Sequence, residues 1–210
     1  MNDGYLSYLL ILTSAILLAS GWNHIFVRDI KVQELIVFYA VWCSGLFFHI
    51  PITAGRYVQG TYLAILLLLA AVSRRDKPSE LSYLAVSGIL IGAVGYYIHV
   101  LYTSDPVLIL HDPTIDIALV CAVLAWTVSR EASHQAAVVS IALLIMDMAG
   151  ARQAASAHDL DYKLGDSAFQ DGWWVAICAS RGLSITGEWF VRLCTSGSKR
   201  LLIWLRGLRR

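Results

Sequence analysis

Imidazole and carboxylate groups set into apolar sequence are the groups in this chain best suited to chemistry. His49, His99 and His111, with Asp105, Asp112, Asp116 and Asp147, each stand inside or at the edge of a long apolar run. Nitrogen and carboxylate-oxygen donors together suit Zn²⁺ or a similar divalent ion, and the same groups serve as general acid and base or relay protons. His99 and Asp147 are the sharpest members, because each interrupts an apolar segment where an unsatisfied polar group is expensive. No two histidines are spaced i, i+4, so no metal is assigned and no cofactor is expected. Arg181 and Glu188 form a second set: seven residues apart, they lie two turns apart on one helix face, where they would lock helix packing or gate a polar path. Similar depth pairs Arg181 with Asp147 on adjacent helices. G-x-G-x-x-G, P-loop, H-E-x-x-H and G-x-S-x-G signatures are absent, which weighs against an enzyme.

What positions these residues is a series of apolar segments separated by short charged breaks. Hydrophobic residues make up 58% of the 210, charged residues 15%, and the mean hydropathy is +0.63. Soluble domains carry about a quarter charged residues, so the chain reads as a membrane protein. Continuous apolar blocks, rather than ten-residue alternation, require α-helices, since backbone in hydrocarbon must satisfy its own hydrogen bonds. The expected fold is an all-α, polytopic transmembrane helix bundle over residues 1–195. Its helices are expected at about 5–22, 35–52, 57–72, 81–102, 115–128, 136–150 and 173–193, followed by a basic amphipathic tail at 196–210. Pro51, Pro78, Pro106 and Pro113 all fall at helix ends or connections, where a missing donor costs least. Helices five and six, at about 15 residues each, have a re-entrant pair as their alternative. Helix four carries Gly88, Gly92 and Gly95, a small-residue face suited to close helix packing. Cys43, Cys121, Cys178 and Cys194 lie in apolar surroundings and read as packing residues. The leader Met1-Asn2-Asp3-Gly4 lacks the basic region of a secretory signal, so the first segment reads as a retained helix.

Orientation follows from the lysines and arginines. The connections after helices one, three and five hold Arg28, Lys31, Arg74, Arg75, Lys77 and Arg130, whereas those after helices two and four hold only Arg56. The basic connections belong in the cytoplasm, with the N-terminus outside. Lys199, Arg200, Arg206, Arg209 and Arg210 then require a seventh crossing, at 173–193; six crossings with a surface helix is the alternative. This topology gathers His49, His99, His111, Asp112, Asp116 and Asp147, with His158, Asp159 and Asp161 of the polar loop, at the outer face. Acids also accumulate there simply because cations are kept inside.

Gly21-Trp22 after the first span and the Arg74-Arg75 break, together with size and segment number, resemble the small multi-pass membrane proteins of endospore-forming bacteria of the YphA type. The resemblance covers most of the chain as a layout. It implies an integral cell-membrane protein and transfers no functional residue. The expected function is a non-enzymatic structural or partner-binding membrane component. A small transporter using Asp147, Arg181, Glu188 and His99 is one alternative, and an outer-face metal-dependent enzyme another. Expected partners are the lipid bilayer, anionic lipid at the basic tail, and a membrane protein or second copy. A net charge of +1 argues against nucleic acid.

Overall fold

The computed structural model describes residues 2–27, 30–53, 56–156 and 163–207. Its architecture is all-α: α1 (Tyr5–Leu17), α2 (Asn23–Phe26), α3 (Val32–Gly45), α4 (Thr61–Arg75), α5 (Pro78–Ser104), α6 (Pro113–Val128), α7 (Ala132–Ser156) and α8 (Ser167–Gly207). A kink at Leu18–Trp22 joins α1 to α2, and Gly21 within it takes φ +91°, a left-handed conformation that favours glycine. By length and composition Tyr5–Trp22, Pro78–Ser104 and Ala132–Gln153 can each cross a bilayer, and Val32–Gly45 and Pro113–Val128 are shorter apolar helices.

Between α3 and α4 the structure departs from the expected helices. Helix two, expected to reach residue 52, ends at Gly45, and His49–Thr53 forms strand β1, paired antiparallel with β2 (Arg56–Gln59). The start of the expected helix 57–72 is likewise strand, so α4 begins at Thr61. A short parallel strand, β3 (Lys163–Leu164), completes a sheet in the order β1-β2-β3. Three local features account for this. Pro51 supplies no ladder donor and stands on the edge strand; Ile50, Ile52, Thr53 and Val58 are β-branched; and the hairpin lets Gly45 and Gly60 meet backbone to backbone. A Cβ on Gly45 would lie 2.5 Å from the Gly60 carbonyl carbon.

The third departure is at the C-terminal side. Where a helix at 173–193 and a separate tail were expected, α8 runs unbroken for 41 residues. That is roughly 60 Å at 1.5 Å per residue, about twice the hydrocarbon thickness. No proline lies in this stretch, and Gly197, at the expected boundary, costs only about 1 kcal/mol of helix propensity. Residues 208–210 of the expected tail lie outside the described residues.

Packing follows side-chain size. Helix α5 packs on α6 and α7, α8 on α1, α6 and α7, and α4 on α3 and α7. The contact faces are built from small residues: Ala118, Cys121, Ala122 and Ala125 on α6, Ala137 and Ala142 on α7, Ala176 and Ser180 on α8. Large apolar side chains point outward instead, as Tyr83, Val86, Leu90 and Tyr97 do on α5, the arrangement suited to lipid around a close-packed bundle. Gly88, Gly92 and Gly95 all face α7: added Cβ atoms would lie 2.7 Å from Ile141 Cβ, 2.7 Å from the Ala142 carbonyl oxygen and 2.5 Å from Met146 Sδ. This glycine face is used within the chain.

Two alanine substitutions separate packing from propensity. Gly182 on α8 has nothing within 4 Å of an added Cβ, so Gly182→Ala should be neutral or stabilising by up to about 1 kcal/mol. Gly92→Ala gains the same propensity but must push backbone aside, and should be destabilising by about 1–3 kcal/mol. Thermal unfolding of the detergent-solubilised protein gives both signs.

Candidate functional site

Asp105, Asp112, Asp116 and Asp147, picked out by sequence, lie at the end of the bundle that carries the strands, and backbone donors occupy them. Asp147, on α7, accepts from the Tyr62 hydroxyl and from the Gly165 N–H at 2.8 Å. Gly165 is held at φ +74°, and a Cβ there would lie 2.7 Å from the Tyr62 ring, so the turn into α8 and the α4 start both converge on this carboxylate. Asp116, 8% exposed, accepts from the N–H groups of Leu110 (2.9 Å) and His111 (3.2 Å), which folds the α5–α6 connection onto α6. Asp112 caps α6 through the Thr114 N–H at 2.9 Å, and Asp105 caps the Pro106–Leu108 turn through Val107. These are helix-start duties: a carboxylate satisfies orphan donors and favours the positive end of the helix dipole.

Two carboxylates of this kind lay outside the expected set. Asp171 on α8 is 6% exposed and accepts from Gly4 N–H (2.8 Å) and Ser7 N–H (2.6 Å), so α8 supplies the N-terminal cap that α1 lacks in its own sequence. Asp166 caps α8 through the Phe169 N–H at 2.8 Å. Partial desolvation raises the Asp166 carboxyl pKa, the Phe169 bond offsets part of this, and Asp147 and Asp3 nearby add to the rise. Asp166 is exposed as a residue, so this shift has little weight in stability.

The histidines do not join these acids. His49 is exposed on β1, His99 is half-buried on α5 and His111 is exposed in the connection before α6. Among the described residues no group of three His, Cys, Asp or Glu side chains is placed to hold a metal ion. His158, Asp159 and Asp161 lie outside the described residues.

Arg181 is found at the opposite end, on backbone carbonyls. Its Nε donates to the Phe26 carbonyl at 2.7 Å, and its terminal nitrogens to the carbonyls of Ile25 (3.3 Å) and Arg130 (3.1 Å). It thereby ties the last turn of α2 and the α6–α7 connection to α8, a cation on orphan carbonyls of a helix C-terminus. Fully buried Gln135 extends the network, donating to the Ser129 carbonyl (2.7 Å) and Ser184 Oγ (2.6 Å). His134 meets Asp76 at 3.0 Å and Glu131 at 3.2 Å. Gln135, His134, Asp76 and Ser184 were not singled out from sequence; the signal was a glutamine and a histidine crowded into the first turn of an apolar helix. Asp147 lies roughly 18 Å along α7 from Gln135, so the expected Asp147–Arg181 pairing does not form. Glu188 pairs instead with Arg192, at 3.6 Å on an exposed face.

Between these two ends is a cavity of about 370 Å³ among α1, α3, α4, α7 and α8. Its origin lies in side-chain sizes. Phe38 and Trp42 of α3 stack against Trp173 and Trp174 of α8, with ring centroids 4.8–6.3 Å apart, and hold those helices a ring-width from each other. Toward the Arg181 end the facing residues shrink to Ala70, Ala71, Ala132, Ser133 and Ala136, and the space stays open. The lining is mostly apolar; its charged members, Glu34, Arg74, Arg75 and Arg181, gather at the Arg181 end, with Ser14, Gln33, Tyr39 and Ser133 the other polar groups.

Small residues inside, large apolar residues outside and backbone-capping acids at the ends define a helical bundle built for lipid surroundings. Residues 32–200, well over half of the chain, match the model of the YphA-like integral membrane proteins, and the chain belongs to that family. No curated protein and no solved structure matches it.

The two charges that sequence placed together should behave differently when removed. Arg181→Met strands three carbonyls and should lower stability by about 2–3 kcal/mol, whereas Glu188→Gln should stay within about 0.5 kcal/mol. Equal effects on the melting temperature in detergent would show that Arg181 does not hold the connections.

Proposed function

We propose that this protein is a non-enzymatic, multi-pass component of the cell membrane that works by binding a partner in or beside its bundle. The observation that carries this reading is the occupancy of its acids. Asp112, Asp116, Asp147 and Asp171 all accept from backbone N–H groups, which is the work of holding helices together. A catalytic base needs an acceptor turned toward substrate, and a transport path needs polar groups along its length. The cavity is walled mostly by apolar side chains, with its charged groups gathered at one end.

In this reading seven helices cross, α1 and α3 to α8 in turn, with α3 and α4 short enough to need local thinning of the bilayer. The connections rich in Arg and Lys face the cytoplasm and the N-terminus lies outside. The basic continuation of α8 rests against anionic lipid, no cofactor takes part, and the outward face of α5 is the surface on offer to a second copy or another membrane protein.

Single cysteines test the sidedness in a background with Cys43, Cys121, Cys178 and Cys194 replaced. An impermeant maleimide should label Val107→Cys in intact cells, and Lys77→Cys only after permeabilisation; the reverse pattern overturns the orientation. Metal analysis of the purified protein should find substoichiometric zinc. One equivalent of zinc, lost in His99→Ala or Asp147→Asn, would restore the enzyme reading.

A further inference from the structure

The cavity has the form of a site for an amphiphile. At about 370 Å³ it falls in the size range of small-molecule pockets, roughly 300–1,000 Å³. Phe38, Tyr39, Trp173 and Trp174 line its aromatic end, and the small side chains of Ala70, Ala71 and Ala136 line it toward Arg74 and Arg181. A water-soluble ion would leave that apolar surface uncovered, so the body of the ligand is a hydrocarbon chain.

Charge at the mouth selects the head of that ligand. Arg75 is paired with Glu34 at 2.9 Å, whereas Arg74 is exposed and has no ion-pair partner among the described residues. Both arginines close α4 at the end of the bundle where the α6–α7 connection also turns, the depth at which lipid headgroups begin. Among the described residues Arg74, Arg75 and Arg181 stand against Glu34 at the cavity, so this end carries a net positive charge. A zwitterionic headgroup would bring its own cation to this rim, and an uncharged hydrophobe would leave Arg74 unused.

We propose that this cavity binds an anionic phospholipid, with one acyl chain in the chamber reaching the Trp173–Trp174 pair and the phosphate at Arg74. The proposal names a ligand for the partner-binding reading and rests on it. It does not depend on which leaflet the cationic end occupies, so the maleimide pattern can fail while lipid binding holds.

Native mass spectrometry of the full chain, released from detergent after titration with phosphatidylglycerol or phosphatidylcholine, tests it. The wild type should retain one phosphatidylglycerol with about tenfold preference over phosphatidylcholine, a ratio in keeping with one charge-assisted contact. Arg74→Gln should bring the two lipids close to parity, and Ala71→Phe, which fills the chamber, should weaken both; Arg192→Gln, an exposed cation on another surface, should change neither. Equal retention of the two lipids by the wild type overturns the headgroup assignment. Undiminished binding in Ala71→Phe overturns the location. Should that variant fail to fold, phosphatidylglycerol brominated on its acyl chain gives the same answer in the wild type. It should quench tryptophan emission more than brominated phosphatidylcholine, and the difference should vanish in Arg74→Gln. Equal quenching by the two lipids sinks the proposal.

Discussion

Every helix end in this bundle must find partners for backbone groups that its own ladder leaves open, and in a low-dielectric surrounding that constraint outweighs most others. Helix α1 is governed by it throughout. Ser7 is its one buried residue, and Tyr8, Leu12 and Ile16 are exposed, so apolar packing gives it little hold on the rest. It is fastened at its start by Asp171, at its middle by the Tyr39 hydroxyl donating to Ser14, and beyond its kink by Arg181 on the carbonyls of Ile25 and Phe26. Asp171 and Arg181 are both on α8, about 15 Å apart along its axis, less than the length of α1 itself. The left-handed Gly21, φ +91°, turns the chain between these two anchors.

The same long helix also decides where the bundle is dense and where it is hollow. On the side facing α6 and α7, α8 presents Ala176, Ser180 and Ser184, and the helices come close. On the side facing α3 it presents Trp173 and Trp174, whose rings meet Phe38 and Trp42 and prevent a close approach. Trp173 is fixed further by donating to Ser140 at 3.0 Å. Once two helices are propped apart by rings at one level, alanines at the next cannot fill the gap, because close packing needs either large side chains or near backbones. The cavity is therefore a consequence of sequence order along α3, α4 and α8, with bulk at one depth and small side chains one to two turns away.

Much of this is legible in the sequence. Apolar blocks and the positions of Pro78 and Pro113, each at the first turn of a helix, marked the helices, and Gly88, Gly92 and Gly95 marked a packing face. The hairpin was not legible, because His49–Gln59 continues the apolar character of the helix before it, and a short apolar run does not distinguish strand from helix. Nor was the unbroken course of α8: the change to basic residues after Leu193 reads as a boundary, yet charge alone does not end a helix. The network around Gln135 escaped notice for a different reason. A single glutamine carries no periodic signal, and its burial depends on Ser184 and Arg181 arriving from a segment some fifty residues away.

The acids carry a more general lesson about membrane proteins. Asp112, Asp116 and Asp147 attracted attention because carboxylates beside apolar sequence are costly and so demand a purpose. The demand is real, but two purposes answer it: a site for a ligand, or a set of backbone N–H groups that would otherwise be left open. Sequence favours the first whenever histidines lie nearby, since side-chain types are visible and backbone donors are not. Geometry separates them through what each carboxylate oxygen faces. Asp116 takes two successive N–H groups of one loop, and Asp171 takes two from the start of another helix; in both cases the acceptor's orientation is set by the chain it caps. Two of these acids stand beside a proline or glycine that fixes the local turn: Asp112 before Pro113 and Asp147 against Gly165, whose φ is +74°. An acid adjoining a turn-forming residue at the edge of an apolar block is thus better read as the fastening of a helix end, and in the proposed reading the cavity those fastenings frame is the space left for a ligand.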